Sequence, residues 1–204
     1  MLSIREFLVL SVLGLGVMSC FVSCGEIGKS SGRLSAQYEA AMQFLKDNPP
    51  LARGELGTGA SLELWAGKGR VLFGFDDDSD VNLTEEPHLV VWVKVTIARG
   101  EPLRDLPEGP PPCLRGEDGQ RVRASNLNRE IGRKVLIAHL GHTGRGGLRR
   151  GGESMMMCCV YPLPGLGRFR IEVPDILGTG SDDWVSDWFD VESVISFGSF
   201  DESR

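Results

Sequence analysis

The stretch that decides the fold is "HLVVWVKVTIARG", residues 88–100. Val91, Val93, Val95 and Ile97 alternate with Trp92, Lys94 and Thr96, and a period of two sends the two sets to opposite faces of an extended chain. Working outward toward the amino terminus, "SLELWAG" (61–67) and "GRVLFGF" (69–75) flank a Gly-Lys-Gly unit, which predicts a hairpin. Toward the carboxyl terminus, "GEPLRDLPEGPPP" (100–112) reads as a proline-rich connector. Beyond it lie "QRVRAS", "KVLIAHL", "SMMMCCVYP", "GRFRIEV" and "WFDVESVISF", each bounded by Gly, Pro or Asp turns. Short strands in series with no alternating helices predict a mainly β domain over 58–204. Its expected form is an antiparallel sandwich or a partly closed barrel.

One helix is expected before the strands. In "LSAQYEAAMQFLKDNPP", Leu34, Tyr38, Ala41, Met42 and Leu45 fall on one helical stripe. Ser35 is the expected N-cap, and Asn48-Pro49-Pro50 ends the run, because a residue before proline avoids helical geometry. The helix is thus placed over 34–48.

The first residues read as a targeting segment. Arg5 supplies a charge, weakened by Glu6 beside it, and Phe7 to Met18 is an uncharged apolar run. A membrane-crossing helix needs about twenty apolar residues. Phe7 to Ser23 falls short of that and contains Gly14 and Gly16. The run ends at "VMSCFVSCGE" (17–26), where a cysteine follows a small residue, as in the bacterial lipobox. Val17-Met18-Ser19-Cys20 fits that pattern better than Phe21-Val22-Ser23-Cys24, whose first position is bulky. The expectation is a signal peptide over 1–19, lipidation at Cys20 (alternatively Cys24) and a flexible tether over 20–33. A secretory signal or anchor helix with incidental cysteines is the competing reading. An exported chain meets oxidising conditions. Adjacent cysteines seldom bridge, so Cys113 with Cys158 or Cys159 is the expected disulfide, with buried free thiols as the alternative.

The chain of 204 residues carries a net charge of −6, which argues against a nucleic-acid partner. The charge is unevenly spread. "FDDDSDVNLTEE" (75–86) has six acids and no base, whereas Arg115 to Arg150 holds nine basic residues against three acids. Such blocks ordinarily meet within a fold or stay solvated.

Two resemblances follow from longer stretches. "LVVWVKVTIARGEPL", "GEDGQRVRAS" and "GRFRIEVP" together resemble Ig-like modules found on bacterial lipoproteins, where a long hydrophobic strand precedes a loop, a "DG" turn and a late strand ending "VP". That resemblance implies an Ig-like antiparallel β-sandwich and transfers no functional positions. "YEAAMQFLKDNPPLARGELG" (38–57), with Asn48, Pro49, Leu56 and Gly57, resembles the opening of the membrane-anchored cytochrome oxidase assembly-factor family. It implies a membrane-anchored factor that helps mature a respiratory or other membrane complex and that handles copper.

Candidate chemistry is sparse. His139 and His142, followed by Met155 to Cys159, offer the imidazole, thioether and thiolate ligands that select Cu(I). On a strand only one set, Met155, Met157 and Cys159, faces one way, and packing in a doubly buried strand is the competing reading. Zinc lacks a C-x-x-C spacing. A cysteine–histidine nucleophilic pair lacks a local orienting group. "DDDSD" (76–80) begins like a calcium loop but lacks its later ligands. Arg145, Arg149 and Arg150, in the glycine-rich "GHTGRGGLRRGG" (141–152), are candidates for binding an anion, from what is expected to be a hairpin tip. Trp184 and Trp188, four apart, are expected on one strand face, as core anchors or as a ligand platform. No collection of titratable residues resembles an active site. The expectation is a non-catalytic exported lipoprotein with a binding or structural role at the cell envelope. It would have no cofactor, a lipid anchor in the membrane and a protein or envelope partner.

Overall fold

The structure, a computed structural model, describes residues 32–56, 59–73, 82–100, 104–106, 111–124, 147–149, 152–175 and 183–197. It is mainly β with one helix before the strands, as expected, and its antiparallel sheets are sandwich-like, with no closed barrel among the described residues.

The first sheet has the order β1 (Ala52–Leu56), β2 (Ala60–Gly69), β5 (His88–Ile97) and β10 (Ser154–Pro162). Its long central strand β5 is the deciding stretch, paired along its length with β2 and β10. The second sheet has the order β12 (Trp184–Val185), β11 (Arg168–Val173), β7 (Cys113–Gly116) and β8 (Arg121–Val122), with β13 (Phe189–Asp190) also on β11. Two small ribbons complete the described elements. One pairs β3 (Leu72–Phe73) with β4 (Asn82–Leu83), and the other pairs β6 (Arg104–Leu106) with β9 (Gly147–Arg149).

Alternation along β5 is realised as two cores. Val91, Val93, Val95 and Ile97 face the second sheet and meet Leu114, Phe169, Ile171, Val173 and Phe189 in the inter-sheet core. Val90 and Trp92 face the other way. They are covered by the helix α1 (Gly32–Asp47) through Ala41 and Phe44, and by Phe197 from the far end of the described chain. Phe44, Trp92 and Phe197 form a ring cluster with centroid separations of 5.4, 6.1 and 5.2 Å. The molecule is therefore three layers, helix on sheet on sheet, because a strand apolar on both faces needs a cover on each.

Several sequence expectations are corrected here. The helix starts at Gly32, so Ser35 lies within its first turn and does not cap it. Its buried face runs through Gln37, Ala41 and Phe44, while Tyr38, expected inside, is exposed. Trp65 Nε1 donates to the Asn48 carbonyl at 3.1 Å, tying the end of the helix to β2.

Gly67-Lys68-Gly69 is not a turn. It is the last part of β2, paired with Leu89 and its neighbours on β5. These glycines are present because aromatic rings approach the strand. A Cβ on Gly67 would lie 3.1 Å from Phe197 and 3.2 Å from both Phe44 and Trp92. A Cβ on Gly69 would lie 2.6 Å from the Phe197 carbonyl oxygen. The segment around Ser196 pairs in parallel with Lys68, with Lys68 N donating to Ile195 O and Phe197 N to Lys68 O, both at 3.0 Å. It occupies the edge of β2 that β1 leaves free. Because backbone cannot swing aside, Gly69→Ala is expected to dislodge this segment at a cost of about 1–3 kcal/mol, read as a lower urea midpoint.

The remaining corrections concern boundaries. The sheet begins at Ala52, ahead of the expected boundary at 58. "WFDVESVISF" supplies only the two-residue β13 before a 3-10 turn over Val191–Ser193, which Asp190 caps by accepting from Glu192 N. Strand β6 lies inside the expected connector and β9 inside the expected hairpin tip. The strand expected over 134–140 and the acidic run 76–80 lie outside the described residues.

Candidate functional site

The second sheet turns one face to the core and presents the other outward. On β7, Leu114 and Gly116 are buried, which leaves Cys113 and Arg115 on the outer face. On β11, Phe169, Ile171 and Val173 point inward, and Arg168, Arg170 and Glu172 point outward. The register places Arg170 opposite Arg115 and Arg115 opposite Arg121. Three arginines therefore stand in one row across three neighbouring strands, about 4.8 Å apart from strand to strand.

Glu172 lies beside this row and organises it. Its Oε1 accepts from Arg115 Nη1 and from Arg170 Nη2, each at 3.2 Å, and its Oε2 accepts from Arg121 Nη2 at 3.1 Å. The carboxylate side chain is 10% exposed, whereas those of Arg170, Arg115 and Arg121 are 30%, 41% and 63% exposed. Burial pushes the Glu172 carboxyl up. Hydrogen bonds from Arg121, Arg115 and Arg170 more than offset that and hold it below the usual carboxylate range. The hydrogen bond to Glu172 raises the Arg121 guanidinium in turn.

A carboxyl held low in the folded state contributes stability above its unfolded pKa, near about 4.3, and loses it as pH falls through the lower folded value. Thermal melts between pH 7 and 3 are thus expected to show a loss of Tm setting in below about pH 4 that Glu172→Gln makes shallower. A Glu172→Gln profile parallel to the parent's over that range would contradict the coupling.

Trp188 reaches the same face through an irregularity. Trp184 pairs with Val173, and Phe189 pairs with Phe169, so the strand on this edge of β11 carries one residue more than its partner between those pairs. This is a β-bulge, a device that re-aims a side chain. Ser186 holds the ladder together across it. Its backbone N donates to Ile171 O at 3.0 Å, and its hydroxyl accepts from Ile171 N at 2.9 Å. The expected common face of the two tryptophans is consequently not formed. Trp184 packs against the inter-sheet core, its indole directly over Gly54 of β1. Trp188 lies under the guanidinium of Arg170, 5.0 Å from ring centroid to Cζ, and Arg170 Nε is buried with no hydrogen-bond partner among the described residues.

The sulfur atoms lie elsewhere. Met155, Met157 and Cys159 face the inter-sheet core, while Met156 and Cys158 pack toward the helix layer, as alternation along the strand requires. Cys113 sits on the outer face of the other sheet, its Sγ donating to Leu114 O at 3.7 Å. Among the described residues Cys113, Cys158 and Cys159 form no disulfide with one another, so the expected pairing of Cys113 with Cys158 or Cys159 is not made: each points to a different face of the sandwich. Burial pushes the Cys158 thiol well up, the reverse of what a nucleophile needs. Burial likewise raises Tyr161, whose hydroxyl donates to Pro112 O at 2.7 Å and ties the first sheet to the start of β7.

Among the described residues no group of His, Cys, Asp and Glu is placed to hold a metal, and no helix is long and apolar enough to cross a membrane. Cys20, Cys24, His139, His142, Arg145 and Arg150 lie outside the described residues. Arg149 ends β9, opposite Arg104 of β6. Of the expected anion-binding arginines of the glycine-rich stretch, only Arg149 is among the described residues. Among the described residues, Arg115, Arg121 and Arg170 are the arginines brought into one row. The chain matches no family model, no curated protein and no solved structure.

Proposed function

We propose that the chain is a non-catalytic, exported lipoprotein, acting at the cell envelope as a binding module that presents the outer face of its second sheet. The observation that carries the binding role is the row Arg170–Arg115–Arg121, built on regular strands and flanked by Trp188. A site on paired strands is held in place before its partner arrives, so little ordering entropy is lost on binding. The apolar run Phe7 to Met18 and the cysteines that follow it support the anchor, and Cys20 is the lipidated residue of choice over Cys24. The Ig-like lipoprotein resemblance agrees with this reading.

Growth with radiolabelled fatty acid tests the anchor. The parent is expected to carry label, Cys20→Ala to lose it and Cys24→Ala to keep it. An unlabelled parent sinks the lipoprotein reading, and label lost only from Cys24→Ala moves the site.

A further inference from the structure

We propose that the arginine row binds a terminal phosphate group, a dianionic phosphomonoester, through Arg115 and Arg121, with Arg170 and Trp188 forming one wall. The proposal rests on the reading of the chain as a binding module and is independent of its anchor.

Like charges directly opposite one another on neighbouring strands oppose folding, and this row contains two such pairs in succession. A sheet selected for stability alone would alternate the signs. Among the described residues the only carboxylate hydrogen-bonded to these guanidinium groups is Glu172, so three positive charges against one negative leave an excess of two there. Asp183 adds only the weakest of the interactions on Arg121. The neighbouring Arg168 is already matched, to Glu117 at 2.9 Å. An excess of two positive charges, shared over adjacent strands, is complementary to a single group carrying two negative charges.

The donors fit as well. Each guanidinium has five N–H donors in a planar fork, and the contacts to Glu172 use one nitrogen of each. The side chains of Arg115 and Arg121 are 41% and 63% exposed, which leaves them accessible from solvent. Guanidinium forks match the oxygens of phosphate in paired hydrogen bonds. Trp188 screens the Arg170 side of the row from water, which strengthens electrostatic attraction there. A phosphomonoester has a second ionisation near about pH 6 and is a dianion above it. A sulfate ester of the same shape carries one charge only, which makes the pair a clean probe of the charge match.

The test uses the full chain in detergent, titrated calorimetrically at pH 8 with phenyl phosphate and phenyl sulfate. Two further arms separate the sources of the phosphate: glucose 6-phosphate stands for a soluble or glycan-borne ester, and phosphatidate in phosphatidylcholine vesicles for a lipid headgroup. Phenyl phosphate is expected to bind at least about tenfold more tightly than phenyl sulfate, and Arg121→Gln to weaken it about tenfold. Arg121→Lys, which keeps the charge but loses the fork, is expected to fall between. Arg121 is the most exposed of the three, so its variants keep the fold, and the circular dichroism spectrum verifies this. Preference for glucose 6-phosphate or for phosphatidate supports the proposal and identifies the source. No binding in any arm overturns it, as does equal affinity for phosphate and sulfate, or phosphate binding that Arg121→Gln leaves unchanged. Loss of fatty-acid label with phosphate binding intact removes the anchor alone.

Discussion

Trp92→Ala is expected to lower the free energy of unfolding by about 3–5 kcal/mol, the range for removing a large buried aromatic side chain. Trp92 is fully buried at the centre of the first sheet, in register with Trp65 on one side and Cys158 on the other. Phe44 from the helix and Phe197 from the last described segment both rest on its ring. Truncation removes a large surface that these two share, and the regular strands on either side cannot collapse to fill the space. Domains of this size are held by about 5–15 kcal/mol, so the loss is a large fraction of the total. Urea unfolding followed by circular dichroism measures it. Trp92→Phe, which keeps a ring at the site, is expected to lose distinctly less. A loss below about 1 kcal/mol for the alanine variant would mean that the helix layer does not unfold together with the sandwich.

The second large effect comes from a polar residue. Gln37 lies on the buried face of α1 with no exposed surface, and its side chain treats Leu72 as a neighbouring strand would. Gln37 Nε2 donates to Leu72 O at 3.1 Å, and Leu72 N donates to Gln37 Oε1 at 2.6 Å. Leu72 is itself buried, so Gln37→Leu, though similar in volume and more apolar, strands one backbone donor and one acceptor. Each costs about 1–3 kcal/mol, and the variant is expected to lose roughly 2–5 kcal/mol in the same urea experiment. A neutral or stabilising result would show that the amide is dispensable and that apolar packing governs this junction.

The parts of the fold that were legible in advance are those whose local pattern and tertiary role agree. The stretches 88–97, 154–162 and 168–173 each became a strand, and the sides expected for the first two were realised. Gly67 and Gly69 misled because glycine near a strand signals a turn when only neighbours in sequence are considered. Here the absent side chains make room for Phe44, Trp92 and Phe197, which lie far away along the chain. Gln37 misled for a related reason. A periodic search for apolar residues passes over an amide whose burial is justified by two hydrogen bonds to a distant strand.

The candidate site was less legible still. Arg115, Arg121 and Arg170 come from three separate strands, and only the pairing of those strands aligns them. The basic excess between Arg115 and Arg150 was a real signal, but it drew attention to the glycine-rich stretch instead of to "CLRG" and "RVR". Alternating arginines beside Glu172 in "RFRIEV" were the sharper clue. Trp188 was misplaced because a count of four assumes an unbroken strand, and one extra residue in a bulge reverses the side on which everything after it falls.

Phe197 also ties together distant parts of the described chain. The helix that Phe197 helps to cover stands at the beginning of the described chain, while Phe197 stands at its end. A polypeptide cut short before that residue still contains every strand of both sheets, yet it displays the rings of Phe44 and Trp92 to solvent. Exposed apolar surface of this kind is what chaperones and proteases act upon. Phe197 thus closes the cover over the outer face of the first sheet, joining two ends of the described chain in one apolar cluster.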